Sequence, residues 1–242
     1  MIVGGVCRGG TSGVVAGRRL DDVTRPTPLQ QPRIQSPNLP ALADADARDL
    51  RAGGSYEASR FTGADVAGRD LSGARFLECE LSEWSAHDAV LQAAEFSQVR
   101  IDRLNAPTLR AGRTRLREVE ILASRLGSVE LYDAALSDVV VADSKIGWIN
   151  LRAGELRDVV FRNCRFDEID LSGARLNRVA FEGCTAGRLD LAASRLQHVD
   201  LRGLRFDAVD GPAGLAGATI DHDQLAMMAE MFAAHLGVHV RG

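Results

Sequence analysis

The sequence predicts an all-β solenoid, a chain that turns a corner every five residues around a filled apolar core. Three observations carry this: an apolar residue at every fifth position, a second inward series two residues ahead of it, and likeness between positions twenty apart. Stepping in fives from Phe61 through Leu71, Leu91, Ile101, Leu131, Leu151, Leu171 and Leu191 to Phe206 meets 30 positions, (206−61)/5+1, and all are apolar. Seven of the chain's eight phenylalanines fall on this series. Against a background of 45% hydrophobic residues, such a run has a chance probability on the order of 10⁻¹⁰.

Neither a helix of 3.6 residues per turn nor a strand of period two points a side chain inward every fifth residue. Each unit must therefore hold a short β-like segment and a corner. The companion series alternates small and branched residues, as in Thr114, Val119, Ser124, Val129, Ala134, Val139, Ser144 and Ile149. Two inward residues, two apart, are what a strand with alternating faces supplies. Positions twenty apart form ladders. One is Leu71, Leu91, Leu131, Leu151, Leu171 and Leu191, broken by Ala111; another runs Phe76, Phe96, Leu116, Leu136, Leu156, Leu176 and Leu196. Ala106 and Ala111 mark the coil where two small centres narrow the core or permit a bend.

The units Gly63-Ala64-Asp65-Val66, Arg69-Asp70-Leu71-Ser72-Gly73, Ile169-Asp170-Leu171-Ser172-Gly173 and Val199-Asp200-Leu201-Arg202-Gly203 resemble the A(D/N)LXX repeat of the pentapeptide-repeat family. The resemblance covers about residues 56–220. It implies a right-handed quadrilateral β-helix, the pentapeptide-repeat solenoid, with four pentapeptides per coil and seven to eight coils. At ~4.8 Å per coil the rod would be roughly 36 Å long. The resemblance extends distantly to the quinolone-resistance members, which act on DNA gyrase as DNA mimics and dimerise through a C-terminal helix.

The chain divides into an extended or disordered N-terminal arm (1–40), a lead-in (41–60), the β-helix (61–218) and a C-terminal helix with a short strand (219–242). The arm holds five of the seven prolines and no periodicity, and its first twenty or so residues need not fold. A solenoid must close both ends, where backbone and apolar side chains are otherwise exposed. Asp221 and Gln224 fit a capping box, and Leu225, Met228, Ala229, Phe232 and Leu236 recur at helical spacing to cover the last coil. Met227 and Met231 add a second stripe. A dimer helix built of Leu225, Met227, Met228, Met231, Phe232 and Leu236 is the expectation that the family resemblance implies. Val238-His239-Val240 reads as a short strand.

Net charge of −4 and a pI near 5.8 exclude an overall nucleic-acid or membrane binder. No apolar run reaches the ~18 residues of a membrane span, and a cytoplasmic, reduced protein is expected. The basic residues are arginines apart from Lys145, a composition typical of a GC-rich, actinobacterial kind of genome. Cys7, Cys79, Cys164 and Cys184 show no metal spacing. Cys164 and Cys184 stack one coil apart and are expected as free core thiols. His87, His198, His222, His235 and His239 lie in no triad pattern. No catalytic residue, cofactor or metal is expected, and the chain is read as a non-enzyme.

Charge is organised by column. Asp70, Glu130, Asp170, Asp190 and Asp210 stack on one side, with Asn150 between, and Glu78, Glu118, Asp138 and Asp158 stack near the next corner. These rows are the candidate partner surface. Arg125, Lys145, Arg165 and Arg205 form a basic column on a neighbouring side. Residues 61–210 carry 24 acidic and 20 basic residues, a net of −4. Rows of carboxylates can imitate DNA phosphates, but this balance is mixed, and the unbroken phase leaves no room for long loops. The first reading is thus a rigid scaffold for an unidentified protein partner, dimeric through its tail, without direct nucleic-acid binding. The alternative is a DNA-mimicking modulator of DNA gyrase.

Overall fold

The computed structural model describes residues 28–241. From Ala43 to Thr219 the chain winds as a parallel β-solenoid of about nine turns. One sheet gathers the segments Glu95–Asp102, Arg115–Leu122, Ala135–Ala142, Glu155–Arg162 and Arg175–Glu182. A second gathers Asn105–Arg110, Arg125–Glu130, Lys145–Asn150, Arg165–Asp170, Cys184–Asp190 and Leu204–Asp210. Every pairing between these coils is offset by twenty residues, as in Leu136↔Leu156, Leu156↔Leu176 and Ile149↔Ile169. The ladders expected from the sequence are therefore physical stacks, and the backbone of each coil hydrogen-bonds only to its neighbours.

The corners have a chemical cause. In the coils from Leu91 to Asp190 the residue two after the core centre adopts left-handed backbone at three corners, shown by Ala93, Gln98 and Arg103 or by Asp133, Asp138 and Asp143. At non-glycine residues this costs roughly 1–2 kcal/mol each, and the coil-to-coil bonds at the same corners offset it; Asp133 N–H, for one, donates to Arg152 O at 2.9 Å. Glycine removes the cost at Gly63, Gly68 and Gly173. The fourth corner is left-handed at Gly68 and Asp88 but not from Thr108 onward, and there the second sheet's strands continue through it for six or seven residues.

The family's preference for Asp or Asn before the centre also has a local reason. Asp65, Asp70, Asn150, Asp170, Asp190 and Asp200 each accept the backbone N–H two residues on, at 2.8–3.1 Å. These side chains hold the turn. Inside, Ser124 and Ser144 satisfy themselves on the carbonyls of Leu122 and Ala142, at 2.8 Å each. Cys79, Cys164 and Cys184 are free and buried. Burial pushes the Cys79 thiol up, and contact with Cys184 together with burial pushes Cys164 up. These are packing thiols.

At the coil of Ala111 the core holds an apolar cavity of about 70 Å³, bounded by Ala111, Leu91, Leu131, Phe96 and Leu116 among others.

Both ends are closed, each by a different device. Residues 41–60, expected as a lead-in, form a first short coil: Ala43 pairs with Ser59, sixteen residues on. Tyr56 stacks on Phe76 and Phe76 on Phe96, with ring centroids 5.1 and 5.0 Å apart. Trp84 lies inside this end and donates to Phe61 O at 3.1 Å. At the other end the helix α1, His222–His235, starts on the Asp221–Gln224 capping box. Gln224 Nε2 donates to Leu201 O and Leu204 O, at 2.7 Å each, and so satisfies carbonyls of the last coil. Met228 is buried beneath the helix, and Met231 and Phe232 pack against the core.

The helix is thus rotated from its expected phase. Leu225 and Leu236, expected over the last coil, are 47% and 78% exposed. Val238–Val240 adopts no strand. Residues 28–42 form no regular element, yet they are placed: Pro37 is buried, and an extended segment runs to Ala43. The expectation for the first twenty residues lies outside the described residues.

Candidate interaction surface

The interior of the rod is filled, so any contact with another molecule falls on its outer sides. The first acidic row does stack, but Val90 and Arg110 interrupt it between Asp70 and Glu130. Most of its carboxylates are engaged at home. Asp170 is 1% exposed, holds the Ser172 turn and accepts from Arg152 Nε at 2.6 Å. Asp210 is paired with Arg188 at 2.5 Å. The Ser72 hydroxyl and backbone lower the Asp70 carboxyl below its usual range. Glu130 is the member of the row that carries neither a turn bond nor an ion pair among the described residues.

The second row occupies a corner of left-handed residues: Glu78, Glu118, Asp138 and Asp158, continued by Arg178 and His198. This corner differs from its counterparts. Glu83, Arg103, Ala123, Asp143 and Asn163, on another corner, are all exposed. Along the acidic corner every position from Ala58 to His198 is partly or fully buried, with Asp158 and Arg178 at 5% and 9% exposure.

The chain's own N-terminal segment is the cover. Gln30 N–H meets His198 Nδ1 at 3.4 Å, Arg33 N–H donates to Asp158 Oδ1 at 2.9 Å, and Ala43 N–H donates to Ala58 O at 2.9 Å. His198 and Ala58 are seven coils apart, about 34 Å at strand spacing. The thirteen steps from Gln30 to Ala43 span about 40 Å in an extended, proline-rich conformation. The segment is a strap laid along the corner, running against the direction in which the coils accumulate.

Asp158 is its central clip. Arg178 grips both carboxylate oxygens, Nε at 2.6 Å and Nη2 at 2.5 Å. Burial raises the Asp158 carboxyl, but the Arg178 guanidinium and the Arg33 N–H outweigh burial and hold it below the usual carboxylate range. Val160 and Ala180, which face outward between Val159 and Phe161 and between Val179 and Phe181, are nonetheless buried on this side. The second acidic row is therefore largely an internal surface. No sequence periodicity marks the strap; the one sequence signal is the outward apolar series Val140, Val160 and Ala180 in register.

The basic column forms as expected: Arg125↔Lys145↔Arg165↔Thr185↔Arg205 pair in register on the second sheet. All four cations are exposed. At the C-terminal end the expected dimer residues separate into two sets. Met228 is buried, and Met231 and Phe232 pack on the core, while Leu225, Met227 and Leu236 face outward beside Val238 and Val240. His87 contacts Asp88 at 3.3 Å on the surface. Among the described residues no group of three His, Cys, Asp or Glu side chains is placed to hold a metal. No described helix is long and apolar enough to cross a membrane.

Such a structure is a parallel β-solenoid with four sides, a filled core and sealed ends. Residues 155–186 match the family of pentapeptide repeats, with eight copies recognised, so this stretch of the solenoid is built of such repeats. The chain is similar to the solved structure of QnrB1, a plasmid-mediated fluoroquinolone resistance protein, at 19% identity over 78% of this chain and 94% of that one, with a TM-score of 0.37. It is also similar to HetL, a pentapeptide-repeat protein involved in heterocyst differentiation regulation from the cyanobacterium Nostoc sp. strain PCC 7120. There the identity is 20% over 72% of this chain and 93% of that one, with a TM-score of 0.36. No curated protein sequence matches the chain. The ladders and their twenty-residue register define the fold on their own.

Proposed function

We propose that this protein is a rigid interaction scaffold with no chemistry of its own, cytoplasmic, and dimeric through its C-terminal tail. The observation that carries the reading is the use made of the interior. A core centre at every fifth residue fills the rod, and the buried hydroxyls and thiols are spent on backbone carbonyls. Work then falls to the outer sides, which parallel pairing over about nine turns holds stiff. The outward Leu225, Met227, Leu236, Val238 and Val240 supply an apolar patch for a second copy.

The acidic rows add little weight to a DNA-mimicking action on gyrase. One row is interrupted and tied into turns and ion pairs, and the other lies under the strap. Purified protein is expected to leave gyrase supercoiling unchanged at micromolar concentration; inhibition would restore the mimic. The scaffold reading is tested by photo-crosslinking side chains placed singly at Arg125, Asp133, Asp143 and Arg157, one for each side or corner, in living cells. A partner adduct restricted to one or two of these positions is expected. No adduct from any position would overturn it.

A further inference from the structure

We propose that the column of Arg125, Lys145, Arg165 and Arg205 is the docking strip for an extended, acidic segment of a partner protein. The proposal rests on the scaffold reading and names which side is used and what chemistry it takes.

The strip stands apart in how its charge is left. Many stacked cations elsewhere on the rod, though not Arg113 or Arg195, are neutralised by carboxylates one coil away. Arg115 pairs with Glu95 at 2.8 Å, Arg175 with Glu155 at 2.9 Å, Arg162 with Glu182 at 2.7 Å and Arg100 with Glu120 at 3.1 Å. The four cations of the strip share one register column, are all exposed, and form neither an ion pair nor a side-chain hydrogen bond among the described residues. Like charges in single file at ~4.8 Å per coil repel one another. The column keeps one sign, and although Asp167 and Asp207 line the same groove two residues along, neither makes an ion pair with it, which leaves its charge to be met from outside.

The ground beside the strip is open in part. Two residues further along the strands stand Gly127, Gly147 and Gly187, where a Cβ would come within 2.3–2.7 Å of a carbonyl oxygen of the preceding coil. Close coil stacking thus demands glycine at these three positions and leaves backbone bare beside Arg125, while Asp167, whose carboxylate reaches to 3.5 Å from where a Gly147 Cβ would lie, and Asp207 occupy the same column beside Arg165 and Arg205. Trp148 faces outward beside Gly147 and is partly exposed. It offers an apolar contact at mid-strip.

The dimensions and the borders select the occupant. Arg125 to Arg205 spans four coils, about 19 Å, which matches roughly six residues of extended polypeptide. Alternate side chains of such a segment face the strip about every 6.7 Å, enough for three carboxylates against four cations. At the far end of the same strands stand Glu130, Asp170, Asp190 and Asp210. The positive ground is therefore one side chain wide. It admits a single acidic strand and repels the broad phosphate surface of a duplex.

The test uses the full chain and a fluorescein-labelled peptide of alternating Glu and Ser, titrated by fluorescence anisotropy at low ionic strength. Saturable binding is expected, weakened by salt. Reversal of the strip, Arg125→Glu with Lys145→Glu, Arg165→Glu and Arg205→Glu, is expected to weaken it by about tenfold or more. A control reverses four cations elsewhere: Arg75→Glu, Arg115→Glu, Arg162→Glu and Arg175→Glu. It carries the same net charge and is expected to bind like the parent. Both variants are first required to keep the parent's far-UV circular dichroism and elution volume. If strip reversal unfolds the chain, Arg125→Gln with Arg165→Gln replaces it, with severalfold weakening expected.

No saturable binding, or equal weakening by both reversals, overturns the proposal. Tighter binding of a single-stranded oligonucleotide, lost on strip reversal, also overturns it in favour of a nucleic acid. Crosslinked partners found only on other sides would sink this inference and leave the scaffold reading standing.

Discussion

Replacing Ala111 with leucine should stabilise the protein, because it completes a ladder that the sequence leaves open. Leu91 lies one coil before it and Leu131 one coil after, and the three are stacked by the bonds from Leu91 N–H to Arg110 O and from Ala111 N–H to Glu130 O. The missing atoms leave a cavity of about 70 Å³. At about 24 cal/mol per Å³ of void, that space costs roughly 1.7 kcal/mol. Three added carbons at about 0.8 kcal/mol each give roughly 2.4 kcal/mol by transfer from water. The expected gain is thus about 1.5–2.5 kcal/mol, read as a rise in urea midpoint at unchanged slope, or a melting temperature higher by about 3–8 °C. Ala106 is the control. It is also fully buried but does not border the cavity, so Ala106→Leu should overpack and cost about 1–3 kcal/mol. Equal effects of the two substitutions, or a loss on Ala111→Leu, would show that the void at Ala111 is not what limits stability there.

Four further outcomes follow from the geometry. Asp158→Ala strands the buried Arg178 and unclips the strap; a loss of about 3 kcal/mol is expected, with faster proteolysis within residues 28–42. The folded carboxyl lies below its unfolded value, so its contribution is present above the unfolded pKa near 4 and fades as pH falls through the folded one; a wild-type advantage that persists below that window would contradict the pairing. Gly127→Ala brings a Cβ to 2.3 Å from Pro107 O and should destabilise by more than the ~1 kcal/mol of an ordinary left-handed position such as Gly173, as measured in urea. Gln224→Ala leaves the Leu201 and Leu204 carbonyls unpaired, costing about 1–3 kcal/mol, with hydrogen exchange accelerating in the last coil first. If the proposed tail dimer forms, Met227→Glu with Leu236→Glu should halve the mass seen by light scattering without loss of fold; a substitution at Met228 would instead break the cap.

The coils were legible because their physics is local and repeated. One buried side chain per five residues, with a twenty-residue register, leaves a mark in every unit. The strap left none, because its central bond is made by a backbone N–H, that of Arg33, to a carboxylate 125 residues away. An acidic corner read from spacing alone looked like a surface; only the outward Val160 and Ala180 hinted at a cover. The helix α1 was read with its existence and cap correct and its phase wrong. Its buried face starts at Gln224, a polar residue whose place is set by the open carbonyls of the last coil rather than by hydrophobicity. Ala111 was legible as an anomaly, but whether the coil would shrink or leave a void depends on its stiff neighbours. The strip of unpaired cations was visible as a column, while its lack of partners required the side chains of adjacent coils.

If the basic strip is the docking side, the rod works through one open side of its outer surface. Arginine-selective footprinting, read by mass spectrometry on the purified protein and on the protein inside its own cells, tests this most directly. The purified protein should react readily at Arg125, Arg165 and Arg205 and slowly at Arg178, and in cells protection should appear at the first three while exposed Arg113 and Arg195 keep their reactivity. Identical footprints in both settings, or protection confined to other sides, would contradict it.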